Sequence, residues 1–185
     1  GKSTVCSLYL DTPDHLLIRR SIEAKGLDKP AYKEKLRLRS YGTPRGDSRV
    51  FLEIKKKFKG VVYKRRVVMP LNQALDYLAR GEKPFESQIM SEIDYAMHFY
   101  GNPRPAMLVS CEREAYVGKD LPSLRLTVDG SLRARDTDLD LSHGPQGTLL
   151  LPEDEVILEI KTDGAMPLWL AHALDRHGLY PGSFS

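Results

Sequence analysis

Residues 50–69 read VFLEIKKKFKGVVYKRRVVM, a stretch in which aliphatic and charged side chains alternate. Successive side chains of a β-strand point to opposite faces, so this period of two predicts two strands, each with one apolar and one charged face. A turn at Gly60 joins them into a hairpin. Lys56 and Arg65 are exceptions to the alternation. The charged face carries Glu53, Lys55, Lys57, Lys64 and Arg66.

The same alternation recurs in four other segments of the chain. KLRLR, RLTVDG and LEIK each place charged side chains on one side of an extended chain and apolar ones on the other, and in CEREAY Arg113 shares a side with Cys111 and Ala115. These segments therefore predict further strands with the same two kinds of face. Their charged positions are the cations Lys35, Arg37, Arg39, Arg113, Arg125 and Lys161 and the acids Asp129 and Glu159.

Four segments with helical patterns could cover the apolar faces of these strands. They are residues 14–24, 71–80, 87–100 and 167–177. Three of them stop at a glycine, a common helix end. If helices cover the aliphatic faces, an antiparallel sheet of this length would tend to close on itself. The sequence therefore predicts a single domain of the α+β class, a closed antiparallel β-barrel with a basic lumen and helices packed on the outside.

Positive charge is concentrated in residues 33–66. This stretch holds thirteen Lys or Arg against three Asp or Glu, whereas the whole chain has a formal net charge of +3. Such asymmetry indicates a polyanionic partner, namely nucleic acid, an acidic membrane surface or a phosphorylated small molecule. For a charge run alone, a solvated face is the alternative.

A lumen lined by these cations could not be dry and empty. Two like charges about 6 Å apart repel by roughly 3 kcal/mol at an effective dielectric constant of about 20. Several such pairs would rival the stability of a domain, so we expect water and a multiply charged anion in the lumen. Guanidinium and ammonium groups match phosphate oxygens, and a line of them suits a chain of phosphates.

The acids among the cations could hold a divalent metal ion. A metal held by a carboxylate can bridge phosphate oxygens, as is usual in phosphoryl transfer. Glu159 and Glu53 are the candidates, and a plain salt bridge is the alternative at both positions.

Other sequence features constrain location and chemistry only weakly. Cys6 and Cys111 lie in apolar, strand-like segments and are expected to be buried thiols, as in a reducing cytosol. No apolar run is long enough to cross a bilayer and no secretory signal is recognisable, so we expect a cytoplasmic protein. The opening GKST lacks the glycine run of a P-loop, and the five histidines show no catalytic or metal-ligand spacing.

Several of these motifs, in their order and spacing, resemble one family. KLRLRSYG, VFLEIKKKFKGVVYKRR, CEREAY, RLTVDGSLR, LEIKTDGAMPLWL and the terminal SFS are similar to the VTC domain, the polyphosphate polymerase domain of the vacuolar transporter chaperone complex, and to its stand-alone bacterial relatives. That domain belongs with the triphosphate tunnel metalloenzymes, whose fold is a closed barrel with a basic tunnel. The resemblance implies one tunnel domain over residues 1–185, without the family's N-terminal strand and last C-terminal residues.

The resemblance also implies a reaction, in which the γ-phosphoryl group of ATP passes to a growing polyphosphate chain with Mn²⁺ or Mg²⁺ as cofactor. Glu159 is implied as the metal ligand, and Glu53 is the second candidate from the charge pattern. Such a reaction needs positioning and charge neutralisation more than a protein nucleophile. The catalytic candidates are Arg37, Arg39, Lys55, Lys64 and Arg66, and further phosphate-binding candidates are Lys35, Lys57, Arg113, Arg125 and Lys161.

Other functions remain open on the sequence alone. The expected ligands are ATP and inorganic polyphosphate, with pyrophosphate or inositol phosphates as further ligands. A non-catalytic module that binds polyphosphate or inositol phosphates would need the cations but no metal. A tunnel-type triphosphatase or an RNA-processing relative would release free phosphate. Neither nucleic acid nor a membrane is an expected partner of this domain, because its basic positions lack interleaved aromatic residues for base stacking and no apolar span is present.

Overall fold

The structure is a computed structural model that describes residues 1–23 and 32–182, without the side chain of Glu23. It is an α+β fold with eight strands and four helices in this described part. The terminal SFS motif and the last residue of the helix predicted at 14–24 lie outside it. The strands are β1 (Lys2–Asp11), β2 (Tyr32–Tyr41), β3 (Arg49–Phe58), β4 (Val61–Pro70), β5 (Arg104–Val117), β6 (Arg125–Arg135), β7 (Thr148–Leu149) and β8 (Ile157–Lys161). The helices are α1 (Leu16–Glu23), α2 (Leu71–Arg80), α3 (Gln88–Phe99) and α4 (Leu168–Arg176), and a short 3₁₀ turn spans Leu141–His143.

The eight strands form one antiparallel sheet that does not close. Its order is β4-β3-β2-β1-β5-β6-β7, and β8 pairs with β6. The predicted closed barrel is therefore wrong. Side-chain alternation determines which residues share a face, but it does not determine which edge strands meet. Here β8 adds to the outer side of β6, and β4 remains an edge whose Val61 and Val62 are about half exposed.

Local sequence signals explain where the elements turn and end. The β3–β4 hairpin turns at Lys59 and Gly60, both with positive φ, as in the two-residue turns that match strand twist. Ser87 caps α3, since its hydroxyl accepts a hydrogen bond from the Met90 N–H at 3.1 Å. Gly81 ends α2 in the left-handed conformation.

The main core lies between one face of the sheet and the helices α1, α2 and α3, as the alternation predicts for the apolar faces of the strands. The β2 and β3 residues Leu36, Leu38, Leu52 and Ile54 are fully buried there. Ile93 and Met97 of α3 join this core, whereas Ile89, at the same helical spacing, is 37% exposed. Three further residues of the main core come from α2 and α3: Ala74, Tyr77 and Met90.

The two exceptions to the alternation have partners on the helix side of the sheet. Lys56 forms an ion pair with the buried Glu34 at 3.2 Å, and Arg65 donates to Glu92 of α3 at 2.7 Å. Both cations therefore lie on the apolar face without being left unpaired. No helix in the described ranges is long and apolar enough to span a membrane.

Candidate anion-binding groove

The second face of the sheet, opposite α1, α2 and α3, carries a cavity of about 530 Å³ that we call the groove. Strands β1, β2, β5, β6 and β8 contribute to its lining, so side chains from distant parts of the chain meet there. Its charged lining residues are Arg37, Arg39, Arg113, Asp129 and Glu159. The structure therefore brings these five predicted residues together on one face of the open sheet.

The groove is not basic throughout. Val5, Cys111 and Leu132 form a small apolar cluster on this face, and the partly buried Val109 packs against it. With three arginines and two carboxylates in its lining, the groove is only mildly positive. Arg113 and Asp129 lie on the groove's face, where the alternation expects them, but the rest of the β5–β6 side is filled by the apolar Val109, Cys111 and Leu132.

The remaining predicted cations of β2–β4 share the groove's face but lie outside the cavity. Cross-strand pairing aligns Lys35 with Lys55 and Lys55 with Lys64 in one row. The next row aligns Arg37 with Glu53 and Glu53 with Arg66. These rows extend the basic surface from the groove toward the open β4 edge. Lys57 lies one row further out, and Arg125 and Lys161 pair at the end of β6 and β8.

Glu53 is the centre of a cation cluster on this face. It is 1% exposed and accepts hydrogen bonds from Arg37 Nε and Arg66 Nε, each at 2.6 Å, while Lys64 Nζ lies 3.3 Å away. Burial alone would raise the pKa of Glu53, but Arg37, with Arg39 and Arg66, lowers it to about 2. Glu53 is therefore a carboxylate at any pH near neutrality.

A second carboxylate fixes an arginine on the opposite side of the groove. Arg113 donates from Nε and Nη2 to the two oxygens of Asp129, at 2.6 and 2.5 Å. This bidentate geometry is the strong form of an arginine–carboxylate pair. The hydrogen bonds to Asp129 raise the pKa of Arg113. Arg113 is thus rigidly placed and largely neutralised.

Arg39 differs from both of these arginines. Its Nε donates to Ser7 Oγ at 3.1 Å, and within the described ranges no carboxylate lies within salt-bridge distance of it. Burial, together with the neighbouring Arg37 charge, lowers the pKa of Arg39. A half-buried guanidinium without a direct ion-pair partner is an anion-binding group, because an incoming anion would supply that partner.

Glu159 is the carboxylate in the groove that no arginine holds. It forms an ion pair with Lys161 at 3.0 Å, and both side chains are about half exposed or more. Such pairs are weak and easily exchanged. Across the strand pairing, Thr127 has a buried hydroxyl without a hydrogen-bond partner in the described part.

No group of three or more His, Cys, Asp or Glu side chains within residues 1–23 and 32–182 could hold a metal ion by itself. A carboxylate with a nearby hydroxyl suits a hard cation such as Mg²⁺ or Mn²⁺ only when phosphate oxygens supply further ligands. Glu159 fits that requirement. The oxygens of Glu53 are already engaged by cations.

Three polar residues of this face were not predicted. Ser7 and Tyr9 of β1 hold Arg39 and Arg37, the latter through a 3.3 Å hydrogen bond to the Tyr9 hydroxyl. Tyr41, at the end of β2, lies beside Arg39 and Arg66, and these cations lower its pKa despite burial. The positions of Ser7 and Tyr9 could have been found from the sequence, because these two residues alternate with the apolar Cys6, Leu8 and Leu10 in β1.

The fold and the groove together define a class, namely an antiparallel-sheet protein with an arginine-lined groove on the face opposite its core helices. The chain belongs to the VTC domain family, whose profile matches residues 1–185, the whole sequence. This is a tunnel-type family that handles phosphoryl compounds. The resemblance deduced from the motifs is therefore confirmed.

Comparison with solved structures adds a likeness of fold. The chain is similar to a presumed adenylate cyclase from Bacillus halodurans, with a TM-score of 0.57 and 12% identity. The match covers 100% of this chain and 79% of the other. No curated protein matches the sequence.

Proposed function

We propose that this chain is an ATP-dependent polyphosphate polymerase, which transfers the γ-phosphoryl group of ATP to the end of a polyphosphate chain. The observation that carries the proposal is the position of Arg39, a guanidinium without a direct ion pair in the described part of the chain, whereas its groove neighbours Arg37 and Arg113 each have a fixed carboxylate partner. A cation without such a partner beside two that have one creates a defined place for one phosphoryl group. The outer cations then accommodate a longer chain.

The reaction needs little covalent chemistry from the protein. A terminal oxygen of polyphosphate attacks the γ-phosphorus of ATP, the bond from that phosphorus to the β–γ bridging oxygen breaks, and ADP leaves. Arg39 binds the transferred group and neutralises its oxygens. Arg37 and Arg66 hold the flanking phosphates, and Lys55 and Lys64 bind the chain further out. Positioning and charge neutralisation of this kind are the main source of catalysis in phosphoryl transfer.

The other predicted residues take supporting roles in this proposal. Arg113 binds phosphate on the β5 side, and Lys35, Lys57, Arg125 and Lys161 attract the polyanion from the surrounding surface. Glu159 holds the divalent cofactor, Mn²⁺ or Mg²⁺, together with substrate phosphates. When bound, the metal neutralises the charge that develops on the bridging oxygens. We further propose a cytoplasmic location, where ATP is available.

A second candidate, a non-catalytic module for polyphosphate or inositol phosphates, is favoured by one observation. The described residues offer no cluster that could hold a metal without the substrate. Such a module would use the same cations and would not turn over ATP.

Incubation with ATP and Mn²⁺, with the products separated on a gel and ADP measured in parallel, tests the proposal. A polymerase produces long polyphosphate and one ADP for each phosphate added. A triphosphatase releases free phosphate without chains, and a binding module leaves ATP intact. Either of these two results would overturn the polymerase assignment, and Mg²⁺ in place of Mn²⁺ tests the choice of metal.

A further inference from the structure

Glu53 occupies a position that a simple anion-binding surface would avoid. It lies in the middle strand of three, with Arg37 on β2 and with Lys64 and Arg66 on β4. Its side chain is 2% exposed, whereas those of Arg37, Arg66 and Lys64 are 18%, 36% and 44% exposed. The acid is therefore beneath the cations, and the cations face the solvent.

The geometry of the contacts constrains each cation. One carboxylate oxygen receives Arg37 Nε, and the other receives Arg66 Nε at 2.6 Å and Arg66 Nη2 at 2.5 Å. Tyr9 holds a second nitrogen of Arg37, and the Phe51 ring lies 4.6 Å from the Arg66 guanidinium carbon. Long flexible side chains lose their rotamer freedom in such contacts before any ligand arrives.

The charge balance explains why this arrangement still attracts anions. Three cations surround one carboxylate, so the cluster keeps a net charge of about +2 by formal counting. Without the carboxylate, the like charges on β2 and β4, which flank β3, would repel, and the side chains would turn away from one another into water. The carboxylate thus lowers the net positive charge of the cluster by one unit, and it fixes the positions of the three cations.

We infer that Glu53 is a positioning residue, which holds Arg37, Lys64 and Arg66 in the arrangement that receives phosphate oxygens, and that it does not ligate a metal. This inference rests on the proposed function, because it concerns how the same face binds polyphosphate. It assigns no contact between Glu53 and substrate. It differs from metal ligation in a measurable way, since a positioning role requires no metal.

The Glu53→Gln substitution distinguishes the positioning of the three cations from the effect of the net charge of this face. The substitution keeps the shape of the side chain and makes the face more positive by one charge. Attraction alone would therefore tighten anion binding, whereas loss of positioning would weaken it. We expect the Kd for tripolyphosphate, measured by calorimetry in buffer freed of metal with a chelating resin, to rise at least about tenfold, roughly the effect of one charge-assisted hydrogen bond.

Glu34→Gln is the matched control. Glu34 is a buried carboxylate on the neighbouring strand, paired with Lys56 on the helix side of the same sheet. Its substitution removes a comparable ion pair without touching the groove, so the Kd for tripolyphosphate should stay within about twofold. Equal weakening in both variants would mean a general structural effect and would overturn the inference.

A double substitution distinguishes a positioning role of Glu53 from a purely structural one, because it measures whether the losses of tripolyphosphate affinity are additive. If Glu53 acts through Arg37, Lys64 and Arg66, then Glu53→Gln should weaken binding less in an Arg37→Met protein than in the unsubstituted protein, because one of the three positioned cations is already absent. Independent, additive losses would contradict the inference. Glu53→Asp, which keeps the charge but shortens the reach by one methylene, should also weaken binding, and it serves where Glu53→Gln does not fold.

The remaining outcomes are equally decisive. Unchanged or tighter binding by Glu53→Gln would overturn the positioning role. Weakening that occurs only when Mn²⁺ is present would also overturn it and would restore Glu53 as a metal ligand. If the unsubstituted protein does not bind tripolyphosphate, the proposed function itself fails, and the inference fails with it.

Discussion

Arg39 and Ser7 lie side by side on β2 and β1, and the Arg39 Nε donates to the Ser7 Oγ at 3.1 Å. This hydroxyl orients the guanidinium without neutralising it. The neighbouring arginines of the groove have fixed carboxylate partners, Glu53 for Arg37 and Asp129 for Arg113. Charge and orientation are therefore both available at Arg39 for an incoming phosphate.

Arg39→Ala should weaken binding of tripolyphosphate by about ten- to a hundredfold. A charge-assisted hydrogen bond contributes about 1.5–3 kcal/mol, and tenfold in affinity corresponds to about 1.4 kcal/mol. Burial and repulsion from Arg37 already disfavour the Arg39 charge, so its removal should leave the melting temperature unchanged or slightly higher. Calorimetric titration and thermal melting check both parts.

Arg45→Ala is a suitable comparison, because Arg45 is exposed in the loop between β2 and β3, outside the groove. The Kd of this variant should match that of the unsubstituted protein. If Arg39→Ala binds tripolyphosphate with unchanged affinity, Arg39 and its strand β2 are not part of the binding site.

The sequence was sufficient to predict the faces of the strands. Alternation placed Leu36 and Leu38 in the core and Arg37 and Arg39 on the other side, because the pleat leaves no alternative once one face is buried. The bounds of α2 were predicted as observed, since Pro70 and Gly81 delimit it. The free, buried state of both cysteines is also confirmed.

Closure of the sheet and the balance of charges within it were not predictable in this way. Pairing of β8 with β6 depends on three-dimensional contacts that a period of two does not encode. To predict that Arg113 is neutralised, one would have to know that Asp129 lies directly opposite it on β6. The contributions of Ser7 and Tyr9 were missed because β1 carries no charge run to draw attention to its second face.

Glu159→Gln should abolish metal-dependent turnover while retaining polyanion binding. The substitution removes the carboxylate oxygen that would share a metal with phosphate, and it leaves every groove arginine in place. We expect ADP release with Mn²⁺ to fall at least about a hundredfold, as for loss of a group that acts in the transition state. The Kd for tripolyphosphate in metal-free buffer should change by less than about threefold, since exposed ion pairs contribute little.

The exposed Glu155, in the turn before β8, gives the control for this experiment. Glu155→Gln should retain full turnover with the same metal dependence. Full activity of Glu159→Gln would exclude Glu159 as the ligand.

Tripolyphosphate should protect Cys111 but not Cys6 from alkylation. Cys111 lines the groove, whereas Cys6 lies in the core on the helix side, so the two thiols form an internal pair of probe and control. Burial, with the Asp129 charge, raises the pKa of Cys111 to about 11. Slow modification by iodoacetamide is therefore expected at pH 8 and a faster one at pH 10.

Mass spectrometry of the two cysteine peptides, with and without tripolyphosphate at pH 10, gives the rates. Protection of Cys111 by about fivefold or more is expected, because an anion at Arg39 and Arg113 both blocks the thiol and disfavours its thiolate. Equal rates with and without the ligand would mean that tripolyphosphate binds elsewhere on the protein.

Acidification should destabilise the protein through Glu53. The pKa of this carboxyl falls from an ordinary value of 4.5 to about 2 in the folded protein. A depressed folded-state pKa stabilises the protein above pH 4.5, and this contribution is lost as the pH falls toward 2. At about 1.4 kcal/mol for each unit of pKa, the loss is about 3 kcal/mol.

Urea unfolding of the unsubstituted protein and of Glu53→Gln at pH 5, 4 and 3 isolates this contribution, since all other titrating groups are common to both. The glutamine variant should be the less stable at pH 5, because Arg37, Lys64 and Arg66 then lack their counter-charge. The difference in unfolding free energy should narrow steadily as the pH falls, since protonation of Glu53 makes the two proteins alike. Parallel curves would mean that Glu53 keeps an ordinary pKa, and that the three cations do not converge on it in solution.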